Sequence, residues 1–193
     1  MLSYRHAFHA GMHADVLKHC VLVQLLQHLA KKEKAFWYID THAGAASYAL
    51  RREYARKRAE FETGIGRLWK AGRLPAALEA YLAQVRALNR DGKLHFYPGS
   101  PQIALQMMRP QDRLHLFELH STESEVLQAF FAKSDRRVTV RAADGFAGLK
   151  SVLPPPSRRG LALIDPSYED KQDYARVLET MRDALKRFAT GIY

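Results

Sequence analysis

Short apolar runs and longer amphipathic stretches alternate along most of the chain. Residues 14–32, ADVLKHCVLVQLLQHLAKK, put Val16, Leu17, Cys20, Val21, Leu25 and Leu29 at helical spacing, with basic residues behind them where a helix end favours positive charge. The aromatic and β-branched run AFWYID that follows predicts a strand, closed by the small-residue turn THAGAAS around Gly44. Strand, acid and glycine turn in that order open the nucleotide crevice of a doubly wound α/β sheet. Residues 51–92 break the rhythm. They predict amphipathic helices with a break near Gly72 and Pro75, a small helical insertion in a domain formed by residues 1–50 and 93–193. Alternation then resumes: LHFYPGSPQIALQMM (strand fragment, turn, helix), RLHLFELH (strand), TESEVLQAFFAK (helix), RVTVRAADG (strand), GFAGLKSVL (helix), GLALIDPSY (strand) and KQDYARVLETMRDALKRF (helix). The pattern predicts an α/β fold, a Rossmann-like sheet that is mostly parallel. The closing ATGIY reads as the opening of a further strand, so C-terminal strands of the sheet are expected to be missing from this chain.

Composition narrows the class. A chain of 193 residues with 47% hydrophobic content can build one good core. Its longest apolar run is interrupted by Gln and His, too short and too polar for a membrane span, and the N-terminus has no apolar signal core. A single cysteine, Cys20, cannot form an internal disulfide, which makes a reducing cytoplasm the expected compartment. Thirty Lys and Arg against 20 Asp and Glu give a net charge of +10, spread through LRREYARKR, SDRRVTVR and SRRG. That balance favours a polyanionic partner, although a solvated basic surface has the same composition.

Four predicted strands run out into an acid: Asp40, Glu118, Asp144 and Asp165. In a parallel sheet all four stand at the carboxyl edge, where ligands bind. One such acid usually caps a helix or a turn. Four together suit a ligand with hydroxyls, amines and positive charge: Glu118 for ribose hydroxyls, Asp144 for an adenine amino group. The turn DTHAGAAS has neither the lysine of a P-loop nor the spacing of a dinucleotide fingerprint, so a cofactor without phosphates fits better. S-adenosylmethionine is such a cofactor, and carboxylates favour its sulfonium. The stretch LIDPSY adds a corner that suits methyl transfer to an exocyclic amine. Tyr168 can stack on an extruded base, while Asp165 and the Pro166 carbonyl accept from its amino group.

The motifs LSYRHAFHAGMHADVLKH, DTHAGA, YPGSP, ADGF and SRRGLALIDPSY, spread over the whole chain, resemble the RlmJ-type 23S ribosomal RNA adenine-N6 methyltransferases. The resemblance implies a Rossmann-like methyltransferase with a helical insertion, using S-adenosyl-L-methionine to methylate the N6 amine of one adenine of 23S ribosomal RNA (adenine 2030 in the family). It implies that Lys18, His19, His42, Ser100, Glu118, Asp144, Gly145 and Asp165 hold the cofactor and that Asp165 is catalytic. Tyr4, Pro166 and Tyr168 are implied on the substrate side. A cytoplasmic monomer without metal or membrane attachment is expected. Ser167 stands where the family motif has a second proline, Ala46 stands where its turn has glycine, and relatives are expected to continue beyond RFATGIY. A catalytically silent RNA-binding module of the same fold is the alternative. A metal-dependent hydrolase is weaker, because His9 and His13 share a helical spacing without the glutamate of a zinc protease.

Overall fold

The computed structural model describes residues 7, 9–50, 60–132 and 136–193; Tyr4 and the basic run 51–58 lie outside them. In chain order the elements are α1 (His13–Ala30), β1 (Trp37–Asp40), β2 (Ser47–Ala49), α2 (Glu60–Thr63), α3 (Ile65–Trp69), α4 (Ala76–Ala87), β3 (Phe96–Pro98), α5 (Ser100–Met107), β4 (Arg113–Phe117), α6 (Ser121–Phe131), β5 (Val138–Arg141), α7 (Gly145–Val152), β6 (Gly160–Leu163) and α8 (Gln172–Arg187). They divide into two compact units, one within Leu29–Ala45 and Met108–Tyr193, the other within Arg5–His28 and Ala46–Met107.

The first unit carries a parallel sheet in the order β5-β4-β1-β6. β1 sits between β4 and β6, with Asp40 level with Leu116 on one side and Leu163 on the other. Progress along the sheet therefore reverses at β1, which makes the carboxyl ends of β1 and β6 a topological switch point. Thr41 ties the two ends together, its N–H and its hydroxyl both meeting the Leu163 carbonyl at 3.1 Å. α7 and α8, with Phe188 just past the end of α8, bring Leu149, Val152 and Ala184 onto Ile39, Phe117 and Ala162 to form the core. Two glycines let α7 approach this closely. A Cβ on Gly145 would stand 1.9 Å from the Thr41 carbonyl oxygen, and one on Gly148 would stand 2.3 Å from the Phe117 ring. At the end of the chain Ile192 bridges to Leu161 in parallel, as the reading of ATGIY as a strand opening anticipates.

Arginines staple the amino side of this unit. Asp112, fully buried, accepts from the Phe36 N–H at 3.0 Å and from Arg109 Nε and Nη2 at 2.9 Å each. Arg109 also donates to the carbonyls of Ala30, Lys32 and Lys34, and Arg159 to those of Leu29 and Lys34. The C-terminal carbonyls of α1 are thus met by distant arginines rather than by the lysines that follow the helix. Arg159 of the SRRG loop serves the fold, leaving Arg158 as its exposed basic residue.

The second unit departs from expectation in two ways. The HFYP segment does not join the parallel sheet; it forms β3, antiparallel to β2, with Tyr48 level with Tyr97. α1 also buries a different face. Leu17 and Val21 are exposed, at 68% and 50%, whereas Asp15, His19, Leu22, Val23, Leu26 and Leu29 are buried. The helix has apolar residues nearly all round, so periodicity alone could not choose its face. Polar partners decide it: Asp15 accepts the Gly11 N–H at 2.9 Å, and His19 bonds Tyr97.

Candidate active site

The carboxyl edge of the parallel sheet gathers His42 after β1, Glu118 after β4, Asp144 after β5 and Asp165 after β6. Asp40 is not part of the exposed edge. It is fully buried, accepting from the Tyr38 hydroxyl at 2.7 Å and the His42 N–H at 3.2 Å, and it shapes the turn from within. Glu118 straddles two loops, with one oxygen taking the Gly44 N–H and the other the His120 N–H, both at 2.8 Å. Each oxygen of a carboxylate has a second lone pair, so this anchoring orients Glu118 without exhausting it.

Asp144 is the N-cap of α7, accepting from the N–H groups of Phe146 at 2.8 Å and Ala147 at 3.4 Å. Its other oxygen takes Arg176 of α8 at 2.6 Å. Arg176 also lies 3.7 Å from Asp173 and 4.3 Å from the centre of the Phe146 ring. Sequence reasoning missed Asp173, Arg176 and Phe146; the i, i+3 pair of Asp173 and Arg176 on a predicted helix was the available signal.

His42 lies among these groups. Burial drives its pKa down to about 4, against the pull of Asp165, Asp173 and Asp144, with Arg176 lowering it further. The ring is therefore neutral near pH 7. Its Nδ1 is 2.8 Å from the Thr41 hydroxyl, which also contacts the Leu163 carbonyl. One hydroxyl proton satisfies both contacts only if Thr41 donates to Leu163 and accepts from His42 Nδ1–H. The Phe146 ring meets the imidazole edge-on at 4.8 Å.

After β6 the chain turns through Asp165, Pro166 and Ser167 to Tyr168, whose φ of +56° is rare for an aromatic residue. The Ser167 hydroxyl oxygen accepts the Glu169 N–H at 3.4 Å, a long contact that restrains the corner only weakly. Tyr168 is 38% exposed, and its ring centre lies 4.7 Å from that of Tyr174, itself 65% exposed. The corner thus holds a half-exposed aromatic face beside Asp165.

Lys18, His19 and Ser100 belong to the second unit. Lys18 Nζ is 3.4 Å from Asp15, Ser100 begins α5 and is buried, and buried His19 bonds the Tyr97 hydroxyl at 2.8 Å. Tyr4 lies outside the described residues. Among the described residues no group of three or more His, Cys, Asp and Glu side chains is placed to hold a metal ion, and no helix is long and apolar enough to cross a membrane.

The model of the family described as Ribosomal RNA large subunit methyltransferase D, RlmJ, matches residues 33–193. Ribosomal RNA large subunit methyltransferase J of Escherichia coli K12 is 53% identical over 193 residues, all of this chain and 69% of that protein. The protein of the same name from Haemophilus influenzae Rd is 48% identical over 194 aligned positions, again with all of this chain and 69% of the relative covered. Among solved structures, protein LPL1258 from Legionella pneumophila superposes with a TM-score of 0.86 at 38% identity, covering 94% of this chain and 67% of that one. With its Rossmann-like parallel sheet and its acids at the switch point, the chain belongs to the RlmJ family of ribosomal RNA methyltransferases.

Proposed function

We propose that this protein transfers a methyl group from S-adenosyl-L-methionine to the N6 amine of a specific adenine in 23S ribosomal RNA. The observation that carries the reading is the set of carboxylates around a neutral imidazole at the switch point, with the Asp165–Tyr168 corner beside it. The donor set fits the cofactor. Glu118, held by two backbone N–H groups, suits the vicinal hydroxyls of a ribose; Asp144 and the backbone at Gly145 suit an adenine edge. The acids around His42 favour a cation over an anion. S-adenosylmethionine supplies an electrophilic methyl group on a sulfonium. His42, Glu118, Asp144, Gly145 and Asp165 are proposed to hold it, and Lys18, His19 and Ser100 enter the same proposal from the sequence alone.

On the substrate side, Tyr168 stacks on the extruded adenine, Asp165 and the Pro166 carbonyl accept its two amino hydrogens, and Tyr4 is assigned to RNA contact. Accepting both hydrogens turns the nitrogen lone pair out of the ring plane and toward the methyl group. The sulfonium would supply its methyl to that nitrogen, and the amine would release one proton to solvent as it is methylated. An adenine amine becomes acidic only as it is methylated, so Asp165 acts as an orienting acceptor rather than a strong base. The reading treats residues 51–92 as a helical insertion in a methyltransferase domain of residues 1–50 and 93–193, working as a cytoplasmic monomer.

The test is calorimetric titration of S-adenosylmethionine into the 193-residue chain, followed by transfer of a labelled methyl group to unmodified large-subunit RNA. Saturable binding with transfer is expected. RNA binding without cofactor binding would overturn the proposal and favour the silent RNA-binding module.

A further inference from the structure

Two surfaces hold Arg176 of α8 at the carboxyl edge of the parallel sheet. Its Nη2 donates to Asp144 Oδ2 at 2.6 Å, and its guanidinium carbon stands 4.3 Å from the centre of the Phe146 ring. Asp144 Oδ1 is engaged elsewhere, accepting the N–H groups of Phe146 at 2.8 Å and Ala147 at 3.4 Å as the cap of α7. Oδ2 is therefore the oxygen left for an incoming donor, and Arg176 already sits on it.

A guanidinium is flat, carries N–H donors at its rim and stacks on aromatic faces. An adenine has the same properties: a planar ring with an amine at one edge. A base that reaches for Asp144 Oδ2 meets Arg176 at the carboxylate and again at the ring face beside it. The guanidinium has a second place to go. Asp173, one helical turn earlier on α8 and mostly buried, holds an oxygen 3.7 Å from Nη1. Turning the arginine wholly to Asp173 is a side-chain rotation that keeps its charge paired. The side chain is 41% exposed, so the move costs little packing.

We infer that Arg176 is a built-in competitor for the adenine of the methyl donor: its guanidinium holds Asp144 Oδ2 and the face of Phe146 in the free protein, and yields them to the base by turning to Asp173. The inference rests on the assignment of Asp144 to the adenine edge under Proposed function. The ion pair and the cation–π contact, both part-exposed, each favour the held arrangement by roughly a few-fold, which leaves about one molecule in ten open to the base. Arg176 thereby lowers the apparent affinity for the methyl donor about tenfold.

The experiment is calorimetric titration of the wild type and the Arg176→Ala variant with S-adenosylmethionine and with S-adenosylhomocysteine, which has the same adenine and no sulfonium charge. Competition for the adenine seat predicts that the variant binds both ligands about tenfold more tightly. A gain confined to S-adenosylmethionine would mean that a nearby positive charge merely repels the sulfonium. Unchanged or weaker binding of both ligands would make Arg176 a support of the site. Either result overturns the inference and leaves the proposed function standing. A second readout needs no affinity change. In arginine-labelled protein, the guanidinium signal missing from the variant should show hindered rotation in the free wild type and shift on saturation with S-adenosylhomocysteine. A signal that ignores the ligand overturns the inference too. If neither protein binds either ligand, the proposed function falls and the inference falls with it.

Discussion

At the residue scale, Asp165 carries the chemical proposal. Asp165→Ala should lower turnover by about a hundredfold or more, as expected when the reacting amine loses the acceptor that orients it, while cofactor affinity changes only modestly. Turnover close to wild type would remove Asp165 from the reaction. Ala46 poses a question of packing instead. Its φ of +66° is a conformation that glycine adopts freely, and its methyl is fully buried. Relieving the left-handed strain gains about 1 kcal/mol, and removing one buried methyl costs about 0.8 kcal/mol. Ala46→Gly should therefore shift unfolding free energy by less than about 1 kcal/mol in denaturant melts, so alanine and glycine are nearly interchangeable at this turn. Gly145 permits no such exchange, because the Thr41 backbone already fills the place of a Cβ.

At the scale of elements, much of the molecule was legible. The four strands of the parallel sheet announce themselves as short β-branched runs, and their parallel pairing follows from the alternation with helices, whereas their order came from the structure. The acids at their ends could be located without coordinates, because strand ends are fixed by the turns that follow. β2 was not legible: Ser47–Ala49 is too short to show alternation, so the strand fragment that becomes β3 had no visible partner in the sequence. The face of α1 was misread because polar residues, Asp15 and His19, hold it. Arg176 stayed hidden because its contact with Asp144 joins residues 32 positions apart. The Arg109–Asp112 staple, which links the end of α1 to the start of β1, was equally invisible. Asp112→Ala should cost about 3 kcal/mol, the loss typical of breaking a buried charged pair. For a chain of this size that is a fall in Tm of about 6–12 °C, measurable by calorimetry; a loss under a degree would show that the staple is dispensable.

At the scale of the whole molecule, acid sensitivity and catalysis are the global properties to measure. His42 and His115 are both held neutral down to about pH 4, each chiefly by burial, with Arg141 and Arg113 adding to the effect at His115. The unfolded chain takes up those protons near pH 6.5, so between about 6.5 and 4 it binds more protons than the folded chain, and stability falls as pH falls. The slope is at most about 1.4 kcal/mol per pH unit for each ring. Asp112 adds to the acid limb. Burial alone would raise its pKa, but Arg109 and the two backbone N–H groups hold it below the ordinary carboxylate range. His115→Asn should flatten the fall in Tm over that window, and a Tm that rises on acidification would contradict the assignment. Catalysis is the claim on which the rest depends. The most direct measurement is nucleoside mass spectrometry of unmodified large-subunit RNA after incubation with the protein and S-adenosylmethionine, alongside the Asp165→Ala variant. The account predicts N6-methyladenosine at a single position with the wild-type chain, formed about a hundredfold or more slowly by the variant; a methyl group on ribose or on another base, or N6-methyladenosine formed equally fast by the variant, would contradict it.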